Sequence, residues 1–348
     1  MLQRQYHYRL RSCVWELTLA CCFSCKYCGS KAGAPRMNEL STEECLKVAG
    51  QLADLGCERV SLIGGEVFIR PDWATIAKAL TERNVKVSVI TNGYMFSDKL
   101  ISQLKYVDIE SVAVSIDGPE PIHDAFRQNG SFRRAIHAID VLSESGIPVS
   151  VISTLHSRNA SHLDELYEVL KRKNIFAWQL QACSPMGNAS DAAFSTDIHF
   201  EDVIRFVVDH LKESEFRIGI ADNIGYYTEA EGYLRGNPSG KAVFTGCRAG
   251  LSGIGIDSIG NVRGCEAMYD EYFIEGNLRE KSLKEIWNDP DAFSYNRCFT
   301  PDQLTGKCKT CEYGRICAGG CRSYNYFSTG KMYESPYCAR TIFSYPWD

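Results

Sequence analysis

Sixteen cysteines stand out in this chain of 348 residues, because thiols can bind metals, form disulfides or act as nucleophiles. They are concentrated near residue 21 and after residue 247, with few between. Two groups have regular spacing, and they are Cys21-x3-Cys25-x2-Cys28 and Cys308-x2-Cys311-x5-Cys317-x3-Cys321, with Cys338 beyond. The first group holds three thiols with no obvious fourth, whereas zinc sites use paired knuckles and four ligands per ion.

Charge and hydropathy narrow the class of protein. Lys and Arg total 38 against 43 Asp and Glu, which gives a net charge of −5 and disfavours nucleic-acid binding. No apolar run reaches the roughly 18 residues of a membrane span, so we expect no membrane insertion. The N-terminus has basic residues but no apolar region typical of secretion. We therefore predict a cytoplasmic protein whose clustered thiols bind metal rather than form disulfides.

An alternation of β-rich and helical stretches positions these groups. Six strands are predicted, at Val14–Leu19, Arg59–Ile63, Lys86–Ile90, Ser111–Ile116, Val149–Thr154 and Ala177–Gln181. Helices are predicted after them, at about 41–55, 72–83, 97–104, 131–145 and 163–172, the first opening on the capping box Ser41-Thr42-Glu43-Glu44. Six β–α units predict an α/β fold, a partial (β/α)6 barrel left open on one side.

The active site of such a sheet lies at the C-terminal ends of its strands. The first cysteine group and the loop Gly64-Gly65-Glu66 each follow a strand, so we expect both at one mouth. We predict a barrel domain over 1–212, a connector over 213–246, and a loop-rich domain over 247–348. A helix at Leu283–Trp287 is the one regular element expected in that last domain, which needs metal to hold it together.

Three cysteines after a first strand, followed by Gly-Gly-Glu after the second, resemble the radical S-adenosylmethionine (SAM) superfamily. The resemblance implies that Cys21, Cys25 and Cys28 hold three irons of a 4Fe–4S cluster, and that the fourth iron binds SAM. An electron from the cluster would cleave SAM to a 5′-deoxyadenosyl radical, which removes a hydrogen atom from the substrate. A zinc site or a set of buried thiols is the alternative interpretation. Cys22 is out of register and is expected to be a packed thiol.

The same resemblance implies SAM contacts at several positions. Gly64, Gly65 and Glu66 match the loop that receives the SAM amino group, although Val67 stands where the family usually has proline. Tyr27 matches the aromatic position beside adenine, and Ser115 matches the position on the fourth strand that binds polar groups of SAM. Arg127 matches the arginine that pairs with the SAM carboxylate. Asn92 is expected to shape the loop after the third strand, and His123 to be an ordinary polar residue.

The C-terminal third resembles the SPASM extension, which carries two auxiliary 4Fe–4S clusters. The pattern implies that the outer cluster is held by Cys308, Cys311, Cys317 and Cys338. It implies that Cys247, Cys265 and Cys321 hold the inner one. Many relatives place a fourth inner ligand just before the first, but residues 236–246 contain no cysteine. An open iron, Cys183, Cys298 or an oxygen ligand are the alternatives.

Glu266 directly follows an inner cysteine. Anaerobic sulfatase-maturing relatives have an aspartate there that acts as a base, so Glu266 is our candidate catalytic residue. A solvated glutamate without a role is the alternative.

The resemblance implies an enzyme that modifies a ribosomal peptide or protein by crosslinking, thioether formation or oxidation. About a dozen residues precede the first strand, so we expect a separate protein to recognise the leader, or residues 183–246 to hold the substrate. A flavodoxin or ferredoxin is expected to donate electrons. The alternative substrate class is a small molecule of the aminocyclitol, quinone or haem type. An electron-transfer protein or a zinc module ranks below both, because neither uses the Gly-Gly-Glu loop, Ser115 and Arg127.

Overall fold

The computed structural model describes residues 8–190, 198–211, 213–235 and 242–342. Ten strands form one sheet within them: β1 Ser12–Glu16, β2 Arg59–Ile63, β3 Lys86–Thr91, β4 Ser111–Ser115, β5 Val149–Leu155, β6 Ala177–Ala182, β7 Arg217–Ile220, β8 Gly253–Ile256, β9 Asn261–Arg263 and β10 Gly276–Asn277. Their order across the sheet is β10-β9-β8-β1-β2-β3-β4-β5-β6-β7.

The strands from β1 to β7 pair in chain order and run parallel. Their inward positions carry β-branched and aromatic side chains that are fully buried, such as Val87, Val112 and Trp178. Helices connect them, as parallel pairing requires. The six strands and the open parallel sheet predicted from the sequence are confirmed.

The helices of the described residues alternate with these strands and then become short. They are α1 Thr42–Asp54, α2 Trp73–Thr81, α3 Asp98–Val107, α4 Glu120–Phe126, α5 Ser131–Glu144, α6 Leu163–Leu170, α7 Phe200–His210, α8 Glu231–Leu234, α9 Leu283–Asn288, α10 Ser294–Arg297, α11 Gly306–Lys309, α12 Gly314–Cys317, α13 Arg322–Thr329 and α14 Ala339–Ile342. The predicted capping box is present, since Glu44 N donates to Ser41 Oγ at 3.2 Å and Ser41 N donates to Glu44 Oε2 at 2.8 Å.

The first strand ends earlier than predicted, at Glu16 rather than Leu19. The backbone after it leaves the ladder to hold the glycine loop: Gly65 N donates to Thr18 O at 2.8 Å, and Glu66 N donates to Ala20 O at 2.7 Å. The apolar run Leu17–Ala20 thus forms the wall of a loop rather than a strand.

The segments outside the predicted barrel also join the sheet. Residues 213–246, predicted as a connector, contribute β7, which pairs in parallel with β6. The C-terminal segment contributes β8, which pairs in parallel with β1, and β9 and β10 follow antiparallel. The sheet therefore extends the predicted six strands at both edges. Within the described residues, no helix is both long and apolar enough to cross a membrane.

Candidate active site

A cleft of about 330 Å³ opens at the C-terminal ends of the parallel strands. Its wall combines the cysteine loop after β1, the glycine loop after β2, and the ends of β5 and β6. The lining includes Cys21, Cys25, Cys28, Tyr27, Gly64, Gly65, Asn92 and Arg127 on one side, and Thr154, Gln181, Cys183, Met186, Asn223 and Ala267 on the other. The structure thus brings the two motifs that follow β1 and β2 into one mouth.

The cysteine loop offers thiols whose surroundings suit metal ligation. Phe23 N donates to Cys21 Sγ at 3.4 Å, and Ala32 N donates to Cys28 Sγ at 3.3 Å. Hydrogen bonds of this kind to ligand sulfurs tune iron–sulfur clusters. Three thiols on one short loop, all lining the same cleft, form a donor set that fits a 4Fe–4S cluster with one iron left for another ligand.

Asn92 faces this loop from the end of β3. Its Nδ2 lies 3.5 Å from Cys22 Sγ and 4.0 Å from Cys21 Sγ, while its Oδ1 accepts from Tyr94 N at 2.9 Å. It therefore shapes its own loop, as expected from the sequence, and also contacts the thiols, which the sequence did not indicate. Cys22 is partly buried against this amide.

Gly64 and Gly65 have to be glycine, because the backbone that follows β1 passes too close to them for a side chain to fit. A Cβ on Gly64 would lie 2.7 Å from Thr18 O, and one on Gly65 would overlap the carbonyl of Ala20. Real Cβ atoms do not approach so closely, so only glycine fits. The loop presents bare backbone to the cleft, which is what a ligand amino group needs in order to approach.

Glu66 turns away from the cleft lining and into the protein. Its carboxylate accepts from Thr91 Oγ1 and from Asn92 N, each at 2.8 Å. Burial raises the pKa of Glu66 to about 7, against the lowering effect of these donors. The structure thus gives the third residue of the motif a role in fixing the β3 loop, and a direct SAM contact stays a prediction.

A buried carboxylate that the sequence analysis did not single out holds two residues of the cleft wall in place. Asp117, 1% exposed, accepts from Tyr27 Oη, from Arg127 Nε and, at 2.8 Å, from Thr154 N. Burial is the largest effect and opposes its ionisation, but the charge and hydrogen bond of Arg127 together with His123 and the Tyr27 hydroxyl outweigh it, so the pKa of Asp117 is lowered. Its signal in the sequence was an acid directly after a buried strand.

Two of the predicted SAM contacts are therefore held by the same buried carboxylate. Tyr27 and Arg127 both line the cleft while bonded to Asp117. Burial is the largest effect and lowers the pKa of Arg127, but Asp117, Tyr27 and Cys25 together raise it well above its ordinary value, so the guanidinium stays charged. Ser115 ends β4, with Ile152 as its strand partner, and is not among the residues that line the cleft.

The inner cysteines of the C-terminal segment lie together against the core. Burial is the largest cause of the raised pKa of Cys265, about 12, and Cys247 is the next. Burial and Cys247 likewise raise the pKa of Cys321. Ala267, two residues after Cys265, lines the same cleft as the three thiols after β1, so the segment that carries Cys265 reaches the cleft wall.

The outer cysteines share a separate small cavity. Cys308, Cys311, Cys317 and Cys338 line it, together with Tyr227 and Tyr313. The two tyrosine rings stack with centroids 4.3 Å apart. Ser335 N donates to Cys308 Sγ at 3.4 Å. Four thiols around one space form a donor set that fits a fully ligated cluster.

The carboxyl group of Glu266, our candidate catalytic residue, is buried. Both of its carboxyl oxygens are buried without a hydrogen-bond partner among the described residues, and the side chain is absent from the cleft lining. Burial, followed by the charge of Glu16, raises the pKa of Glu266 well above its ordinary value. Arg263 and Arg36 oppose this shift, so the carboxyl belongs to a buried charged group behind Ala267.

Comparison with known proteins gives the same organisation. A model of the radical SAM superfamily matches residues 15–170. A model of the SPASM iron–sulfur cluster-binding domain matches residues 247–312.

Relatives extend over nearly the whole chain. An AdoMet-dependent heme synthase of Methanosarcina barkeri is 28% identical, over 94% of this chain and 96% of its own. The mycofactocin maturase MftC of Mycobacterium tuberculosis is 28% identical, over 92% of this chain and 80% of its own. The solved structure of Streptococcus suis SuiB bound to S-adenosylmethionine shares the fold, with a TM-score of 0.75 at 18% identity, covering 94% of this chain and 76% of that one.

The two family matches agree with the structure. They are consistent with the order of the strands and with a cleft lined by three thiols and a glycine edge. The protein is a radical SAM enzyme: it belongs to the radical SAM superfamily, binds S-adenosylmethionine and a 4Fe–4S cluster, and carries a C-terminal SPASM domain that binds auxiliary iron–sulfur clusters.

Proposed function

We propose that this enzyme modifies a peptide or protein, using SAM to remove a hydrogen atom from one of its residues. The observation that carries the proposal is the size of the cleft, about 330 Å³ over the described residues. Ligand sites commonly span roughly 300–1,000 Å³, so this one is small for a site that also takes a cofactor. A single side chain reaching in from an extended substrate suits that space. Similarity to the maturase MftC supports the same class.

The cofactor contacts are proposed from the geometry of the cleft. Cys21, Cys25 and Cys28 hold the cluster that binds SAM, which supplies hydrogen-atom abstraction. Gly64 and Gly65 line the cleft and are proposed to receive the amino end of SAM, in a loop conformation that side chains would prevent by overlapping the backbone of Thr18 and Ala20.

Arg127 and Tyr27 are held in advance of binding. Asp117 bonds both side chains, so neither has to be ordered when SAM enters. Arg127 presents its charge to the SAM carboxylate and Tyr27 presents its ring to adenine. Ser115, at the end of β4, stays a proposed contact of the SAM polar groups.

The C-terminal segment is proposed to hold two auxiliary clusters. Cys308, Cys311, Cys317 and Cys338 hold the outer one, and Cys247, Cys265 and Cys321 hold the inner one. Because Ala267, two residues after Cys265, forms part of the cleft wall, a cluster held by these three cysteines would lie near the substrate and would supply a site for the electron released after hydrogen abstraction. Glu266 is proposed to take the proton, since it directly follows Cys265 and its buried carboxyl oxygens have no hydrogen-bond partner among the described residues. A flavodoxin or ferredoxin is the proposed electron donor, and leader recognition by a separate protein is a further proposal.

To test this proposal, the enzyme is reconstituted anaerobically with SAM and a reductant. Size-separated fractions of host extract are then added. The readout is 5′-deoxyadenosine formed above the rate without substrate. Stimulation by the peptide or protein fraction, with a mass change in one component, is the expected result. Stimulation by the small-molecule fraction alone would overturn the proposal.

A tetrapyrrole is the second candidate substrate. Its support is the similarity to heme synthases, which extends over 94% of this chain and 96% of the relative. The same assay with iron porphyrins that carry propionate side chains separates the two. Turnover of a porphyrin, seen as a new absorption band and a mass change, would favour this candidate over the first.

A further inference from the structure

A groove of about 520 Å³ lies at the same end of the sheet as the cleft, where α2 and α3 begin. The loop between β3 and α3 and the first turn of α5 complete its wall. Apolar and aromatic side chains form much of the lining, among them Phe68, Trp73, Tyr94, Met95 and Phe96. Met95 is 45% exposed, so part of this apolar surface is in contact with solvent. An open apolar groove of this kind marks an interaction surface.

The charged side chains that line the groove are basic, and they are Arg70, Lys99 and Arg134. Arg70 is engaged within the protein, because its Nε lies 2.7 Å from Asp72 Oδ1. Lys99 and Arg134 are exposed, and neither forms an ion pair with a carboxylate among the described residues. Asp98, next to Lys99 in the chain, does not line the groove. A partner that complements this surface therefore presents carboxylates.

An aromatic contact joins the groove to the cysteine loop. Tyr94 lines the groove, and its ring packs edge-on against that of Phe23, with centroids 5.2 Å apart. Phe23 lines the cleft, and its backbone N donates to Cys21 Sγ at 3.4 Å. On Tyr94, the guanidinium carbon of Arg134 lies 4.1 Å from the ring centroid. A partner that binds Arg134 and Tyr94 thus contacts a residue that packs directly on the cysteine loop.

The position of the groove favours an electron donor over the substrate as its occupant. Thr154 and Gln181, at the ends of β5 and β6, line the other side of the cleft. Among the described residues, no residue of β5 or β6 lines the groove. Phe23 and Tyr94 stand between the groove and the cleft. A protein bound in the groove therefore comes close to the cysteine loop without entering the space in which a substrate must react.

We propose that this groove docks an acidic one-electron carrier protein, which reduces the cluster held by Cys21, Cys25 and Cys28. Carboxylates of the carrier pair with Lys99 and Arg134, and an apolar part of its surface enters the groove. The carrier loses one electron and the cluster gains one, so no bond is made or broken. Electron-transfer complexes have small interfaces, and complementary charge mainly speeds their formation. The inference rests on the proposed protein electron donor and does not depend on the class of substrate.

Charge reversal tests the docking site in the holoenzyme. The double variant Lys99→Glu/Arg134→Glu is mixed with reduced flavodoxin or reduced ferredoxin, and dithionite serves as a small reductant that needs no docking site. Freeze-quench EPR follows the SAM-binding cluster, whose signal is distinguished because it shifts when SAM is added. At low salt, the carrier that reduces the wild type is expected to reduce the variant at least about tenfold more slowly. Dithionite is expected to reduce both proteins at the same rate.

Lys105→Glu/Arg133→Glu is the matched control. It makes the same change of net charge on the same two helices, α3 and α5, at exposed positions that do not line the groove. The affinity of each carrier for the holoenzyme, measured by calorimetry at increasing salt, is a second readout. We expect the groove variant to bind at least about tenfold more weakly than the wild type at low salt, and the control to bind as the wild type does.

Three results would overturn the inference in different ways. Equal reduction rates and equal affinities for the groove variant and the wild type would refute the docking site alone. Normal reduction of the groove variant by the carrier, with loss of substrate-stimulated 5′-deoxyadenosine formation in dithionite, would assign the groove to the substrate instead. Failure of both carriers to reduce the wild type, while dithionite does so, would refute the proposed electron donor together with the site.

Discussion

At the scale of single residues, Asp117 is the residue that holds the cleft wall where we propose that SAM binds. It bonds Tyr27 and Arg127 from a position that solvent does not reach. A buried ion pair is costly to break from one side, because the remaining charge stays buried without a partner.

Asp117→Asn is therefore expected to destabilise the protein by about 3–5 kcal/mol and to weaken SAM binding. Chemical denaturation and SAM titration by calorimetry measure the two effects. Glu120→Gln is the control, since it removes one partner of the exposed pair with Arg133 and should change stability by less than about 1 kcal/mol. Equal small effects of the two substitutions would contradict the proposed role.

The glycine loop provides a second residue-scale prediction. Gly65→Ala places a methyl group against the carbonyl of Ala20, so the loop must move, and SAM affinity is expected to fall at least about tenfold. Gly50→Ala is the matched control: a Cβ there meets nothing within 4 Å, and alanine inside α1 should stabilise the protein by about 0.5–1 kcal/mol. Unchanged SAM affinity in Gly65→Ala would show that the loop does not approach the cofactor.

At the scale of elements, two histidines pack on the segments that carry Asp117 and Arg127. His123, on α4, accepts from Asp117 N at 3.2 Å, and burial lowers its pKa to about 4. His156, after β5, packs its ring 4.3 Å from that of Phe126, and burial lowers its pKa to about 4 as well. Both side chains are neutral in the folded protein at neutral pH.

The pH dependence follows from the sign of these shifts. Between the ordinary histidine pKa of about 6.5 and the folded value of about 4, the unfolded chain binds more protons, so stability falls as pH is lowered through that range. The shift of His123 corresponds to up to about 3 kcal/mol. Denaturation of wild type and His123→Gln from pH 7 to pH 4.5 should show a shallower decline in the variant. The clusters are acid-sensitive in both proteins, so comparing wild type with the variant at each pH removes that effect. A parallel decline of stability in the two proteins would refute the prediction.

The strands also show how much of the fold could be predicted from the sequence. Strands β2 to β6 were predicted because their apolar runs are bounded by turn signals. Strand β7 was missed because four residues, Arg217–Ile220, with a glycine among them, carry too short a pattern. Asp117 and the placement of Glu266 could not be predicted, because each depends on contacts between segments distant in sequence.

At the scale of the whole molecule, the C-terminal segment is continuous with the barrel. Strand β8 pairs along β1, so the segment that carries Cys265 is fixed relative to the strand that leads into the cysteine loop. Gly255 has no room for a side chain, because a Cβ there would overlap the backbone of Glu266. The motifs predicted both groups of cysteines, but only the pairing of β8 with β1 shows how the inner group reaches the wall of the SAM cleft.

The central claim is that the three thiols after β1 hold the cluster that cleaves SAM, separately from the cysteines of the C-terminal segment. The most direct measurement is 5′-deoxyadenosine formation and iron content in Cys25→Ala, beside Cys45→Ala, which truncates a buried thiol of the core. We predict that Cys25→Ala forms no 5′-deoxyadenosine and keeps its auxiliary iron, while Cys45→Ala cleaves SAM as wild type does. Formation of 5′-deoxyadenosine by Cys25→Ala would contradict the account.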